Sequence, residues 1–348
     1  MNKKIKTEIP IWGNMIPGNN QKNKTAVMDI GRRKPDFILL LKAAFSMPGT
    51  TMKNGRKAKQ ALETYQYYHE IKTGFRPETY EDVPCIDYYP CEGAETAVLI
   101  IPGGGFTYQS NSGAEPEKQY EAGMMAARLN EAGIAAFVLS RYRLTPYRMP
   151  IPLLDAQRAV RYIKYHAKEF SIHPDKLGIM GFSAGGLETS GTINILRNRS
   201  VNEILSDAGM DDITYVQDEI DKTDTGCAFA GLIYPMLGFR GDVPMMYTVF
   251  PIEEVEDETK RSVLLDKYDT VNYVRRGDIP QFIAMGTKDN AVDDADDKTR
   301  YMAALKKNQV PYEYLSVEGA KHGFGASNKK YIYWVDRYIS WIKKVTEK

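Results

Sequence analysis

From about Ala94 onward, short apolar runs alternate with longer stretches in which apolar residues return every three or four positions. The first pattern suits strands buried on both faces, and the second suits amphipathic helices. TAVLIIPGGG reads as a strand ending in glycines, EPEKQYEAGMMAARLNEAG as a helix stopped by glycine, and IAAFVLS as the next strand. PLLDAQRAVRYIKYHAKEF has helical spacing, KLGIMGF is again a strand, and GGLETSGTINILR is a helix. CAFAGLIYP, PQFIAMG and YEYLSVEG are three further strands. DDADDKTRYMAALKK is a helix opening on acids, which suit the positive end of its dipole, and NKKYIYWVDRYISWIKK is amphipathic with an aromatic stripe. This alternation predicts an α/β fold: a mostly parallel central sheet with helices on both faces.

Three regions exceed what a minimal sheet needs: about 20–75, 197–225 and 238–276. The first is basic in GRRKP and KNGRKAK and apolar at FILLLKAAF, and the second is rich in acids. No internal repeat or low-complexity tract interrupts the pattern. The expected division is an N-terminal extension over 1–82 and a sheet domain over 83–348 that carries the second and third regions as insertions.

The strand KLGIMGF runs directly into a serine flanked by glycines, GFSAGG. A residue that must stand outward where a strand turns sharply into a helix is held in strained backbone, and bulky neighbours two positions away would collide. Gly181 and Gly185 occupy those two places around Ser183, giving G-x-S-x-G. Gly186 leaves room for the helix to approach its neighbour. The bland alternative is a turn that binds phosphate, but neither G-x-G-x-x-G nor GK[ST] is present. The helix that follows also turns backbone N–H groups toward the serine, which favours developing negative charge. IPGGGF, Ile101 to Phe106, offers bare backbone amides after an earlier strand, as an oxyanion site requires, or else a flexible turn.

A serine nucleophile needs a base, and the chain holds four histidines: His69, His166, His173 and His322. His69 and His166 sit in helical patterns, and His173 precedes the serine's strand at its wrong end. His322, in EGAKHGFG after the last strand, can reach over the carboxyl edge of the sheet. The third member is a carboxylate that holds the imidazole tautomer. Asp289, just past the strand PQFIAMG, is favoured, while Asp293 and Asp294 stay open as alternatives at the start of the next helix.

The 46 basic and 45 acidic residues leave a net charge of +1, which gives no electrostatic case for nucleic acid or an anionic membrane as partner. The opening MNKKIKTEIPIWGNM lacks an apolar core for a signal peptide, and no window is apolar enough to span a bilayer. Cys85, Cys91 and Cys227 form no CxxC pair, so free thiols in a reducing compartment, the cytoplasm by default, are expected.

The order PGGGF, GFSAGG, GTKD, HGFG resembles the α/β-hydrolase superfamily, and most nearly its bacterial acetyl-esterase and acetylxylan-esterase-like members, near the hormone-sensitive-lipase group. The likeness covers roughly 83 to the C-terminus, and IPIWGNMIPG near the start is similar to the opening of that esterase group. The resemblance implies an α/β-hydrolase fold, Ser183 as nucleophile, His322 as base and Asp289 as its orienting acid. It also implies that the backbone N–H groups of Gly104, Gly105 and Ala184 hold the oxyanion. Two departures stand out: Pro102 replaces a common histidine before the glycines, and Leu187 replaces the histidine of a frequent GGH. By the same resemblance the substrate is a small-molecule or oligosaccharide ester, acetylated sugar first, and neither metal nor organic cofactor is needed. Part of 20–75, FILLLKAAF above all, is expected to cover the site as a cap. Two other readings remain: a serine peptidase of the prolyl-oligopeptidase type, disfavoured by the lack of propeller repeats, and a non-catalytic binding module, disfavoured by the complete Ser, Asp and His set. The sequence leaves the oligomeric state open.

Overall fold

The computed structural model describes residues 5–19, 83–106, 109–110, 121–289 and 294–347. The expected cap over 20–75, with its FILLLKAAF run, and His69 lie outside the described residues.

The described strands are β1 (Lys6–Pro10), β2 (Cys85–Tyr89), β3 (Ala97–Ile101), β4 (Ala135–Arg141), β5 (Leu177–Phe182), β6 (Ala230–Ile233), β7 (Gln281–Gly286) and β8 (Tyr312–Val317). They form one eight-stranded sheet in the order β1-β2-β4-β3-β5-β6-β7-β8. Neighbours from β4 across to β8 run parallel, and β2 is antiparallel to both β1 and β4. The expected mostly parallel α/β sheet is the observed one. The antiparallel margin, β1 and β2, is an addition that the hydrophobic rhythm does not announce.

AVLII, LGIMGF, AGLI and QFIAMG are buried along their whole lengths because helices cover both faces. The alternation of side chains along each strand sends neighbouring residues to opposite faces of the sheet. Leu99, Ile101 and Ile179 pack with Leu153, Leu154, Val160 and Ile163 of α2 (Ile151–Tyr165), and with Ala184 and Leu187 of α3 (Ala184–Ser190). Val98, Ile100, Met180 and Phe182 face the other way, toward Met125 and Leu129 of α1 (Gly123–Glu131) and Trp334, Tyr338 and Ile342 of α6 (Tyr333–Thr346). A third cluster joins Leu232, Ile283 and Met285 to Tyr301 and Leu305 of α5 (Asp294–Lys307). Each such aliphatic side chain contributes about 1.5–3 kcal/mol of burial. Only the margins differ: β8 is exposed or half-buried at every position but its last, Val317, as suits an edge strand.

The acids of 197–225 have a structural use. Arg158 of α2, itself 1% exposed, binds Asp218 at 2.6 Å and Asp221 at 2.8 Å, and Lys164 binds Asp224 at 2.6 Å. On the same side, Trp12 donates its indole N–H to Asp155 at 2.8 Å while Arg143 pairs with that carboxylate at 2.7 Å. Residues 11–17 are thereby anchored to α2, and Arg143 also donates to the Pro17 carbonyl at 2.6 Å. The region 238–276 includes α4 (Glu258–Lys267), begun by the Asp257 side chain accepting from the Lys260 N–H.

One helix departs from expectation. The stretch 185–197 is not uniform: α3 stops at Ser190, and Gly191–Ile195 widen into a π turn with Leu196 N–H bonded to the Gly191 carbonyl at 2.9 Å. The Ser190 hydroxyl donates back to the Gly186 carbonyl at 2.8 Å, competing for the acceptor of the regular ladder. A Cβ on Gly191 would stand 2.9 Å from Leu153 Cδ2, so the turn widens where it packs directly on α2.

Candidate active site

β5 ends at Phe182 and α3 begins at Ala184, so Ser183 alone turns the chain. Its φ of 52° and ψ of −119° lie where a residue with a side chain pays about 1–3 kcal/mol. The surroundings fix that strain: the Ser183 N–H donates to the Ile233 carbonyl at 3.1 Å, and its carbonyl accepts from Gly186 at 2.8 Å and Met236 at 2.9 Å. The flanking glycines are required by contact. A Cβ on Gly181 would fall 1.9 Å from the Gly185 oxygen, and one on Gly185 would fall 2.3 Å from the Ile101 oxygen. The expected room at Gly186 also has a definite neighbour, since a Cβ there would stand 2.4 Å from Pro235 Cβ.

The histidine approaches from the loop after β8. His322 Nε2 lies 2.8 Å from Ser183 Oγ, and its Nδ1 lies 2.8 Å from Asp289 Oδ2. With the carboxylate ionised, Nδ1 carries the proton and donates to Asp289, leaving Nε2 to accept from the serine hydroxyl. Asp289 follows β7 through the short turn Thr287–Lys288, and its side chain is fully buried against a 22% exposed imidazole. The two loops are laced together: Lys288 N–H donates to the Ala320 carbonyl at 2.9 Å and Gly319 N–H to Thr287 Oγ1 at 2.7 Å. Ser183, His322 and Asp289 are thus brought together.

The remaining candidates fall elsewhere. His166 ends α2, with its ring 4.5 Å from Tyr162, and His173 precedes β5 at the end opposite Ser183. Asp293 and the side chain of Asp294, the first residue of α5, lie outside the described residues.

The loop after β3 passes against the serine. A Cβ on Gly103 would sit 2.9 Å from Ser183 Cβ, so the chain touches the elbow here through bare backbone. Gly104 (φ 129°), Gly105 (φ 59°) and Phe106 (φ 61°) then curl through positive φ. Ala184, as first residue of α3, has an N–H with no acceptor inside its helix. Pro102 and Leu187, the two departures, are both buried, and Leu187 packs in the core beside α2.

Two residues here escaped the sequence reading. Glu121 is 7% exposed and accepts from Gly103 N–H at 2.7 Å, from the Ser110 hydroxyl, and from the Tyr234 hydroxyl at 2.7 Å. Tyr234, at φ 36° just after β6, sets its ring edge-on to His322 with centroids 5.0 Å apart. Burial first, and then the adjacent Glu121 carboxylate, pushes the Tyr234 hydroxyl well above its usual range, so it remains a donor. Glu121 lies in the stretch EPEKQYEAG, which reads as helix surface, and nothing local marks it. Asp242 is also buried near the imidazole: desolvation raises its carboxyl to about 6, partly offset by the Met245 N–H and by His322. Glu188 of α3 is fully buried with both oxygens unpartnered, and burial pushes its carboxyl well above the usual range. Among the described residues, no group of three or more His, Cys, Asp or Glu could hold a metal ion.

An imidazole that accepts from a serine hydroxyl and donates to a buried carboxylate can remove the serine proton and later return it. Amides beside the serine can stabilise negative charge on a substrate oxygen.

Several known proteins are similar to this chain. The BD-FAE family matches residues 87–222, and the prolyl oligopeptidase family matches 233–348. The acetylxylan esterase of Xylanibacter ruminicola is 26% identical over 239 residues, 68% of this chain and 43% of that protein. The chain therefore spans less than half the length of that relative. The acetyl esterase of Salmonella paratyphi B is 24% identical over 251 residues, 71% of each chain. Among solved structures, the acetyl ester-xyloside bifunctional hydrolase of Caldicellulosiruptor lactoaceticus superposes with a TM-score of 0.63 at 26% identity, covering 78% of this chain and 91% of that one. The sheet order and these likenesses agree: the chain has the α/β-hydrolase fold and is similar to acetyl and acetylxylan esterases.

Proposed function

We propose that the chain is a serine esterase hydrolysing short-chain acyl esters, acetyl foremost, with acetylated sugars or xylo-oligosaccharides as its natural substrate class. The observation that carries the reading is the relay Ser183–His322–Asp289, two contacts of 2.8 Å that join a hydroxyl, an imidazole and a buried carboxylate. The names of the relatives, acetylxylan esterase, acetyl esterase and acetyl ester-xyloside hydrolase, support the acyl group and the sugar.

In this mechanism His322 Nε2 takes the Ser183 proton as Oγ attacks the ester carbonyl. The tetrahedral oxyanion is held by the amides of Gly104, Gly105 and Ala184. His322 then protonates the departing alcohol, and an acyl group remains on Ser183. Water attacks that acyl-enzyme along the same path, giving up its proton to His322 and releasing the carboxylic acid and the free serine. Asp289 holds the imidazole in the required tautomer and offsets the charge it gains. The chemistry needs no group beyond these side chains and amides. The three free thiols of Cys85, Cys91 and Cys227 favour a reducing compartment, and among the described residues no helix is long and apolar enough to cross a membrane.

The test is a panel of p-nitrophenyl esters of graded acyl length plus acetylated xylo-oligosaccharides, run on wild type and Ser183→Ala. Turnover highest on acetyl and abolished by the substitution supports the proposal. No Ser183-dependent hydrolysis of any ester overturns it. A second reading, a serine peptidase, is favoured by the prolyl oligopeptidase match over 233–348. That span holds Asp289 and His322, whereas Ser183 and the glycine loop fall in the BD-FAE match. An aminoacyl-amide substrate in the same panel separates the two.

A further inference from the structure

We propose that Glu121 and Tyr234 are positioning residues that hold the glycine loop and the imidazole of His322 in one frame, resting on the esterase reading above. The loop is fixed at Gly103 on both sides of one residue. Its N–H donates to Glu121 Oε2 at 2.7 Å, and its carbonyl accepts from Ser110 N–H at 3.1 Å. The Ser110 hydroxyl returns to the same Glu121 oxygen, closing a small ring of hydrogen bonds. The far end of the loop is held as well, with the Phe106 carbonyl accepting from Thr145 N–H at 2.9 Å. Between these anchors stand Gly104 and Gly105.

The second oxygen of Glu121 reaches across the fold. Oε1 accepts from Tyr234 Oη at 2.7 Å, a contact between residues 113 apart in the chain. The Tyr234 ring is wedged between Phe182, the residue before the serine, at 5.7 Å, and Phe324, just past the histidine, at 4.6 Å. It meets the His322 ring at 5.0 Å. One carboxylate therefore links the loop that faces the substrate oxygen to the ring that supports the base.

Three donors converge on Glu121: an amide N–H and two hydroxyls. Glutamine at this place has a single acceptor oxygen, and its NH2 would face at least one other donor. The partners would then part, and a buried donor left unsatisfied is costly enough to force movement. Displacement by about 1 Å at a reacting centre costs on the order of a hundredfold in rate.

The experiment measures kcat and KM for p-nitrophenyl acetate, and affinity for a short trifluoromethyl ketone, in wild type, Glu121→Gln, Tyr234→Phe and the double variant. The ketone reports on the loop directly. As Ser183 Oγ bonds to its carbonyl carbon, the π pair moves onto oxygen as an alkoxide and the serine proton passes to His322. The expected result is a kcat lowered about tenfold to a hundredfold in Glu121→Gln, with KM changed less than threefold and ketone affinity falling in parallel with kcat. Tyr234→Phe, which keeps the ring and removes only one hydroxyl, lowers kcat less, and the double variant loses less than the product of the two effects. Thermal midpoints identify any variant that has not folded, and Tyr234→Phe then carries the test. Folded variants with wild-type kcat and ketone affinity overturn the inference while leaving the esterase reading intact. A wild type without Ser183-dependent hydrolysis overturns both.

Discussion

Gly181→Ala tests the elbow more sharply than removing the serine does, because it changes geometry and leaves every reacting group in place. The added Cβ would stand 1.9 Å from the Gly185 oxygen, 2.3 Å from the Gly185 carbon and 2.4 Å from Thr189 Oγ1. Two of those three atoms are backbone, so no side-chain rotation relieves the collision. Opening the first contact even to 3.0 Å drives the start of α3 from the end of β5 by about 1.1 Å. Ser183 sits between the two glycines, and its oxygen is 2.8 Å from His322. A shift of that size therefore turns a hydrogen bond into a gap, with a loss of on the order of a hundredfold in kcat. Overpacking of this kind also costs about 1–3 kcal/mol of stability. Steady-state hydrolysis of p-nitrophenyl acetate beside thermal unfolding reads both effects. Gly13→Ala is the control, since a Cβ there meets nothing within 4 Å. If Gly181→Ala kept kcat within threefold of wild type and unfolded at the wild-type temperature, steric necessity at the elbow would be refuted.

Other outcomes follow from the same geometry. Asp289→Asn, which keeps the shape but presents the wrong tautomer partner to His322 Nδ1, should lower kcat by about 10⁴ in a chain that stays folded by circular dichroism. Arg143→Met leaves the Asp155 carboxylate buried with Trp12 and one backbone N–H, and should cost about 3–5 kcal/mol in denaturant unfolding. Asp242 titrates at about 6 in the fold because burial disfavours its ionised form. The folded carboxyl thus binds its proton more tightly than the unfolded one. Its cost to stability is absent below about pH 4, grows through pH 6 and amounts to ~3 kcal/mol above it. Asp242→Asn should accordingly raise the unfolding midpoint at pH 8 and leave it unchanged near pH 4, measured by calorimetry across that range.

The parts of the fold legible in the sequence are those whose physics is local. AVLII, LGIMGF and QFIAMG are apolar without alternation because each lies between two helical layers, and composition alone carries that message. Ser183 was legible because its neighbours had to be glycine, and His322 and Asp289 because each follows a strand into the loops at one edge of the sheet. KTEIP and CIDYY were not read as strands: both are short, they lie at the antiparallel margin, and all but one residue of the first is exposed. The widening into a π turn after Ser190 lies where Gly191 meets Leu153, a contact that no run of residues shows. Glu121 and Tyr234 went unread because their role exists only across a separation of 113 residues.

The sheet order also divides the relay into two groups by what supports them. Ser183 and the glycine loop hang from β5 and β3, each with a strand on either side, whereas Asp289 and His322 follow β7 and β8, the last two strands of one margin. Because the outer loops are sewn to each other at Thr287, Lys288, Gly319 and Ala320, Asp289 and His322 travel as a pair when that margin loosens. Heating should then part the imidazole from the hydroxyl while the imidazole keeps its carboxylate, so that turnover fades below the temperature at which the central strands melt.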